Sequence, residues 1–182
     1  MMGRSNSELT LEGVSIAKKV ARLIEREDVQ VVYSSPLGRA VSSATIYTES
    51  LGLPVLTKHE LAELSCGEWE GCSLRDVEPG RKAIRENWQD RPPGGESYQD
   101  SEARIGSFIR EICSNIYPER ILVVSHAGAG RAFLKLWLGL EPELAIKIDF
   151  PHDTIFILGN NGRVVVRSTH GPNTHILPMK SD

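Results

Sequence analysis

The chain has 182 residues, 40% of them hydrophobic and 25% charged, the composition of a globular domain and not of a disordered one. Its 21 Lys and Arg against 24 Asp and Glu leave a net charge of -3. That balance offers no basic excess to track a nucleic-acid backbone, so nucleic acid is excluded as a partner class. No apolar run approaches the roughly 18 residues of a membrane span. The opening MMGRSNSELT lacks the apolar centre of a signal peptide. Cys66, Cys72 and Cys113 cannot all pair with one another and form no C-x-x-C, so a cytoplasmic protein with reduced thiols is expected.

Thr10 has the character of a helix N-cap, with Glu12 in the first turn. Val14, Ala17, Val20, Ala21 and Ile24 recur at helical spacing, which predicts an amphipathic helix over 11–27. Val29 to Tyr33 is a short, mostly apolar run broken only by Gln30, the signature of a buried parallel strand. Ser35-Pro36 then predicts a helix start, and Gly52 stops that helix near residue 50. A short strand follows at 55–57. Residues 58–97 hold Trp69 and Trp88 among many Gly and Pro, and are expected to form an insertion or lid over one end of the sheet. A short helix is predicted near 79–88.

Ile105, Phe108, Ile109, Ile112 and Ile116 mark the buried stripe of a helix over 98–116. Ile121 to Ser125 is the strongest strand signal, and His126-Ala127-Gly128-Ala129-Gly130 turns into a helix at about 129–138. Two strands, 154–158 and 163–168, are joined by an Asn160-Asn161-Gly162 turn. Strands alternating with helices predict an α/β protein, a three-layer α/β/α sandwich with a mostly parallel sheet and a single domain over 1–182. Ligands of such sheets bind beyond the carboxyl ends of the strands. The residues there are Ser34-Ser35-Pro36-Leu37-Gly38-Arg39 and Ser125-His126-Ala127-Gly128.

Arg39 in the first turn of a helix suits a phosphate or carboxylate, because unpaired N–H groups and a bidentate guanidinium meet there. Alone, an Arg in that place also fits a surface salt bridge, and a lone His at a strand end fits a structural hydrogen bond as well as catalysis. The strings LTLEG (9–13), YSSPLGRA (33–40), LAELSCGEWEG (61–71), PPGGES (92–97) and VVSHAG (123–128) occur in this order. Together they resemble the histidine phosphatase superfamily, the phosphoglycerate-mutase-like fold. The resemblance implies that Arg39 clamps the phosphoryl group, that Glu63 protonates the leaving oxygen and that His126 hydrogen-bonds the phosphoryl group during transfer. It implies that the backbone at Gly3 and Ala127 faces substrate. Thr is usual where Ser43 stands.

The resemblance also implies an R-H-G at the end of a first, central strand, whose histidine becomes phosphorylated. This sequence has no R-H-G. MMGRSNSELTLEG matches the family just downstream of that motif. The first central strand is therefore expected to be missing from these 182 residues, with the natural start further upstream and the neighbouring strand edges left unpaired. His59, His152, His170 and His175 are the other histidines to consider as a nucleophile.

The implied activity is a phosphomonoesterase acting on a small phosphorylated metabolite, with no metal and no organic cofactor. The short 58–97 segment with PPGGES looks like the small phosphatases, including the α-ribazole phosphatase type. A phosphoglycerate mutase, or an inactive member that binds phosphorylated ligands, are the alternatives. Arg75, Arg81, Lys82, Arg85 and Arg91 fit a solvated face better than a second anion site. Glu96 and Ser97 are expected to cap the following helix. A Ser–His hydrolase built on Ser35 or Ser125 with His126 lacks a G-x-S-x-G elbow. A zinc site from Cys66, Cys72, His170 and His175 has unsuitable Cys spacing. An exposed edge strand leaves a homodimer open.

Overall fold

A computed structural model describes residues 2–73, 75–77, 86–114 and 120–171. The first helix, α1 (Leu11–Ile24), starts where Thr10 caps it: the Thr10 Oγ1 accepts the Gly13 N–H at 3.0 Å. Ala17, Val20, Ala21 and Ile24 bury the predicted face. The helix ends three residues before the predicted position. Its last turn tightens through Arg26 and Glu27 N–H bonds to the carbonyls of Leu23 and Ile24, and Asp28 takes the left-handed conformation at φ 49°, which Asp tolerates better than most residues.

Strand β1 (Val31–Ser34) begins two residues later than the apolar run. It is the centre of a parallel sheet of order β2-β1-β3, with β2 at Val55–Thr57 and β3 at Ile121–Val124. Val32 lies opposite Val55 on one side and Leu122 on the other. Strand periodicity sends alternate residues to opposite faces. Val32, Leu122 and Val124 pack with Ala40 and Ala44 of α2 (Gly38–Thr48). Tyr33 and Val123 pack on the other face, against Ile105 and Phe108 of α3 (Tyr98–Ser114) and Ala129 and Ala132 of α4 (Ala127–Leu138). Those two cores make the three layers that the sequence predicts. Phe108 is fully buried and meets Tyr33 edge-on at 5.3 Å.

The chain closes with a short helix, α5 (Pro142–Ala145), and the hairpin β4 (Thr154–Leu158) and β5 (Val164–Ser168). The hairpin is antiparallel and forms its own two-stranded sheet. The parallel sheet thus has three strands, and among the described residues β3 is paired on one side only, by β1. No described helix is long and apolar enough to cross a membrane.

Two helix starts differ from the sequence reading, and both shape the site. Pro36 lies outside α2; the turn at 35–37 is closed by the Ser35 Oγ accepting the Leu37 N–H, which puts Arg39 second in the helix. Helix α4 begins at Ala127, not 129, with His126 at its N-cap position. Gly52, at φ 64°, stops α2 as predicted. Ile116 and most of the helix predicted near 79–88 lie outside the described residues; 86–89 form a bend and a turn.

Candidate active site

Both strand-end segments that the sequence singled out meet at the carboxyl ends of β1 and β3. The His126 Nε2 lies 2.7 Å from the Ser35 Oγ, joining the second residue past β3 to the first residue past β1. His126 is half-buried, and its pKa is pushed down to about 3, first by burial and then by the Arg39 and Arg104 guanidinium groups. The imidazole is therefore neutral at pH 7, able to donate or accept one hydrogen bond at each nitrogen according to tautomer. Ser125 turns away: its Oγ donates to the Leu61 carbonyl at 2.8 Å. Ser35 is fully buried, and no acid among the described residues is bonded to the His126 Nδ1. The Ser–His pair thus lacks the orienting acid and the access of a hydrolytic triad.

Arg39 is tied to the N-terminal segment. Its Nη2 donates to the Gly3 carbonyl at 2.7 Å and its Nη1 to the Ser5 carbonyl at 3.0 Å. Gly3 thus sits beside Arg39, but its backbone has a second duty. At φ 43° it is in the left-handed region, and a Cβ there would collide with the Glu70 carboxylate. Glu70 accepts the N–H groups of Arg4 and Ser5 at 2.9 Å each and of Cys66 at 2.8 Å. This carboxylate fastens the N-terminal segment to the 61–71 motif. The sequence reading missed it, although Glu70 lies inside a quoted string.

Glu63 sits at the start of α4. Its carboxylate accepts the N–H groups of Gly128 at 3.3 Å and Ala129 at 3.2 Å, and also that of Leu64 at 2.9 Å. The first N–H groups of a helix have no intrahelical partner, and the helix dipole favours an anion there. The carboxylate occupies the space that a side chain at residue 128 would need, so Gly at that position is a packing requirement. Arg39, Glu63 and His126 thereby share one corner, reached from three separate segments. Beside it opens a cleft of about 530 Å³ lined by Arg4, Pro36, Leu37, His59, Glu60, Ala62 and Arg104.

Other expectations resolve differently. Ser97 does cap α3, in a reciprocal pair with Asp100: the Asp100 N–H donates to the Ser97 Oγ at 3.1 Å and the Ser97 N–H to the Asp100 carboxylate at 2.8 Å. Glu96 does not cap; it forms a two-pronged ion pair with Arg104. Trp88 is buried and stacks on Tyr98 at 4.6 Å, while Trp69 is half-buried. Arg91 pairs with Asp100 at the surface; Arg81, Lys82 and Arg85 lie outside the described residues. His170 pairs with Asp153 and is 77% exposed, His152 is exposed, and His175 lies outside the described residues. No group of three metal-ligating side chains occurs among the described residues.

The fold and this corner define an α/β protein with an arginine, a neutral histidine and a carboxylate at the strand ends. The chain belongs to the histidine phosphatase superfamily (branch 1), whose family model matches residues 1–168. It is 32% identical over 146 residues to a putative phosphoserine phosphatase 2 of Hydrogenobacter thermophilus, a match covering 78% of this chain and 71% of that protein. It is 29% identical to a 2,3-bisphosphoglycerate-dependent phosphoglycerate mutase of Afipia carboxidovorans, over 80% of this chain and 76% of that one. Among solved structures it resembles a mycobacterial glucosyl-3-phosphoglycerate phosphatase in complex with VO3: TM-score 0.77, 27% identity, 82% of this chain and 78% of that one. A putative α-ribazole-5'-P phosphatase of Escherichia coli shares the fold, with TM-score 0.79 at 24% identity over 99% of this chain and 90% of that one.

Proposed function

We propose that the protein is a cytoplasmic phosphomonoesterase that hydrolyses a small phosphorylated metabolite. The observation that carries this reading is the meeting of Arg39, neutral His126 and Glu63 at the carboxyl ends of β1 and β3. Phosphoryl transfer depends chiefly on positioning and on stabilising charge over the equatorial oxygens. In this reading Arg39 and His126 hold those oxygens, assisted by the backbone at Gly3 and the Ala127 N–H at the first position of α4. Glu63 gives a proton to the leaving alkoxide, then takes one from the water that attacks the phosphorylated enzyme. The phosphatase-named relatives support hydrolysis.

The nucleophile in this reading is a histidine outside the 182 residues, on a strand that pairs with the open edge of β3. The pairing of β3 on one side only among the described residues supports it, as does the absence of R-H-G from the sequence. Neutral imidazole is a competent nucleophile toward phosphorus near pH 7. That same absence favours a second reading, a member that binds phosphorylated ligands through Arg39 and His126 without turnover. Sequencing the in-frame codons upstream of Met1 tests the first reading; a stop codon with no R-H-G before it would sink the strand. Assaying the protein from the upstream start with phosphate esters then separates the two. Turnover identifies the phosphatase, and inorganic phosphate bound without turnover identifies the binding member.

A further inference from the structure

The loop that carries Glu63 is irregular, and its carbonyls need partners that no strand or helix supplies. A 3-10 turn at His59–Leu61 gives way to extended backbone at Ala62. Arg104, on α3, reaches this loop: its Nη1 donates to the carbonyls of Glu60 at 2.5 Å and Ala62 at 2.7 Å. Arg4 reaches it from the other side, its Nε donating to the Glu63 carbonyl at 2.9 Å. Three carbonyls of four consecutive residues are thus held by two guanidinium groups. A single carboxylate sets both: Glu96 takes the Nε and Nη2 of Arg104 at 3.0 and 2.8 Å, and the Nη2 of Arg4 at 3.1 Å.

Glu96 and Arg104 are 15% and 17% exposed at their side chains, Arg4 43%. The partially buried fork between Glu96 and Arg104 is the geometry in which an Arg–carboxylate pair is both strong and directional. Arg104 is also one of the two cations that depress the His126 pKa. We infer that Glu96, Arg104 and Arg4 form a positioning clamp that fixes the Glu60–Glu63 main chain and so keeps the Glu63 carboxylate on the first turn of α4. The inference rests on the reading of Glu63 as proton donor only for its catalytic consequence. The clamp itself is a statement about where the Glu63 carboxylate sits.

The reporters are the N–H groups that the Glu63 carboxylate accepts. Gly128 and Ala129 lie in the first turn of α4 and have no intrahelical acceptor, so their protection from solvent exchange reports the Glu63 contact directly. Amide exchange is measured on the full-length protein and on its Glu96→Gln and Arg104→Lys variants, with Arg4→Gln as the mildest change. Exchange at Leu64, Gly128 and Ala129 is expected to rise about tenfold or more, while the β1 amides of Val32 and Tyr33 stay unchanged. Unaltered exchange at the three reporters in a folded variant would overturn the clamp, and so would a uniform rise at all amides. Where all three variants unfold, the clamp is a stabilising network and the positioning inference fails.

A second measurement ties the clamp to chemistry. Turnover of an alkyl phosphate is expected to fall about 10-fold to 100-fold, part of the roughly 10²–10⁴ that a general acid supplies, with a smaller loss on nitrophenyl phosphate, whose leaving group needs little protonation. Equal losses on both esters count against positioning. A wild-type protein without turnover overturns the phosphatase reading and leaves the exchange result to decide the clamp.

Discussion

Carboxylates organise two ends of this molecule in opposite ways. At the strand ends, Glu63, Glu70 and Glu96 accept hydrogen bonds from residues far away in sequence: Glu63 from Ala129, Glu70 from Arg4, Glu96 from Arg4. At the β4–β5 hairpin, Asp153 gathers its own neighbourhood. It accepts from the Ser168 hydroxyl at 2.8 Å and the Thr169 hydroxyl at 3.2 Å, and meets the His170 Nδ1 at 2.7 Å, all at the strand register that pairs Thr154 with Ser168. The first group brings distant segments to one corner; the second closes a hairpin. A carboxylate that joins distant segments sets the geometry of a site, whereas one that joins neighbours sets only local order.

The contrast is broken or sharpened by substitution. The largest effect belongs to His126→Ala: turnover of the full-length enzyme falls by about 10²–10⁴, with the fold retained by circular dichroism. Near-wild-type turnover would remove His126 from the chemistry. Glu63→Gln comes next; hydrolysis of alkyl phosphates drops about 10²-fold and that of nitrophenyl phosphate much less, read from the ratio of kcat/KM values. Equal losses would mean that Glu63 only caps α4.

Gly3→Ala places a methyl group against the Glu70 carboxylate at a left-handed backbone position. It is expected to cost about 1–3 kcal/mol, measured by urea denaturation. The pH dependence of stability follows from His126. Its folded pKa of about 3 lies below the unfolded value near 6.5. Below pH 6.5 the unfolded chain therefore binds the proton first, and stability declines as pH falls toward 3, by at most about 1.4 kcal/mol per pH unit. Above pH 6.5 the contribution is flat. Denaturation curves of the wild type and His126→Ala should diverge in slope only within that window.

Asp153→Asn is the smallest change and the one that tests the comparison most directly. The His170 hydrogen bond, aided by the neighbouring hydroxyls, holds the Asp153 pKa down to about 2. Its stabilisation is thus present at neutral pH and lost as pH falls through about 2. The variant should leave turnover unchanged and loosen only the hairpin, seen as faster amide exchange at Thr169 and Thr154. A loss of turnover comparable to that of Glu63→Gln would erase the distinction between the two ends.

The sequence by itself determined most of the elements, though not the short α5, and pointed to residues of the central corner. Helical spacing fixed the buried faces of α1 and α3, Thr10 and Ser97 carry their caps in their own side chains, and the ordered strings pointed to Arg39, Glu63 and His126. The faces and caps are local signals, set by periodicity and by neighbours a few residues apart, whereas the three site residues were legible only through the resemblance that the strings carry together. What holds that corner together was decided only by tertiary structure. Glu70, Arg4 and Arg104 act through bonds to carbonyls and N–H groups 42 to 66 residues away, and no periodicity announces such pairs. Glu96 looked like a cap because it precedes a helix; in the fold it faces two guanidinium groups instead. The start of α4 at Ala127 depends in the same way on a carboxylate from another loop. The charge of His126 depends on burial and on two arginines that the folded chain brings beside it, because the free energy of a charge is set by its surroundings in space and not by its neighbours in sequence.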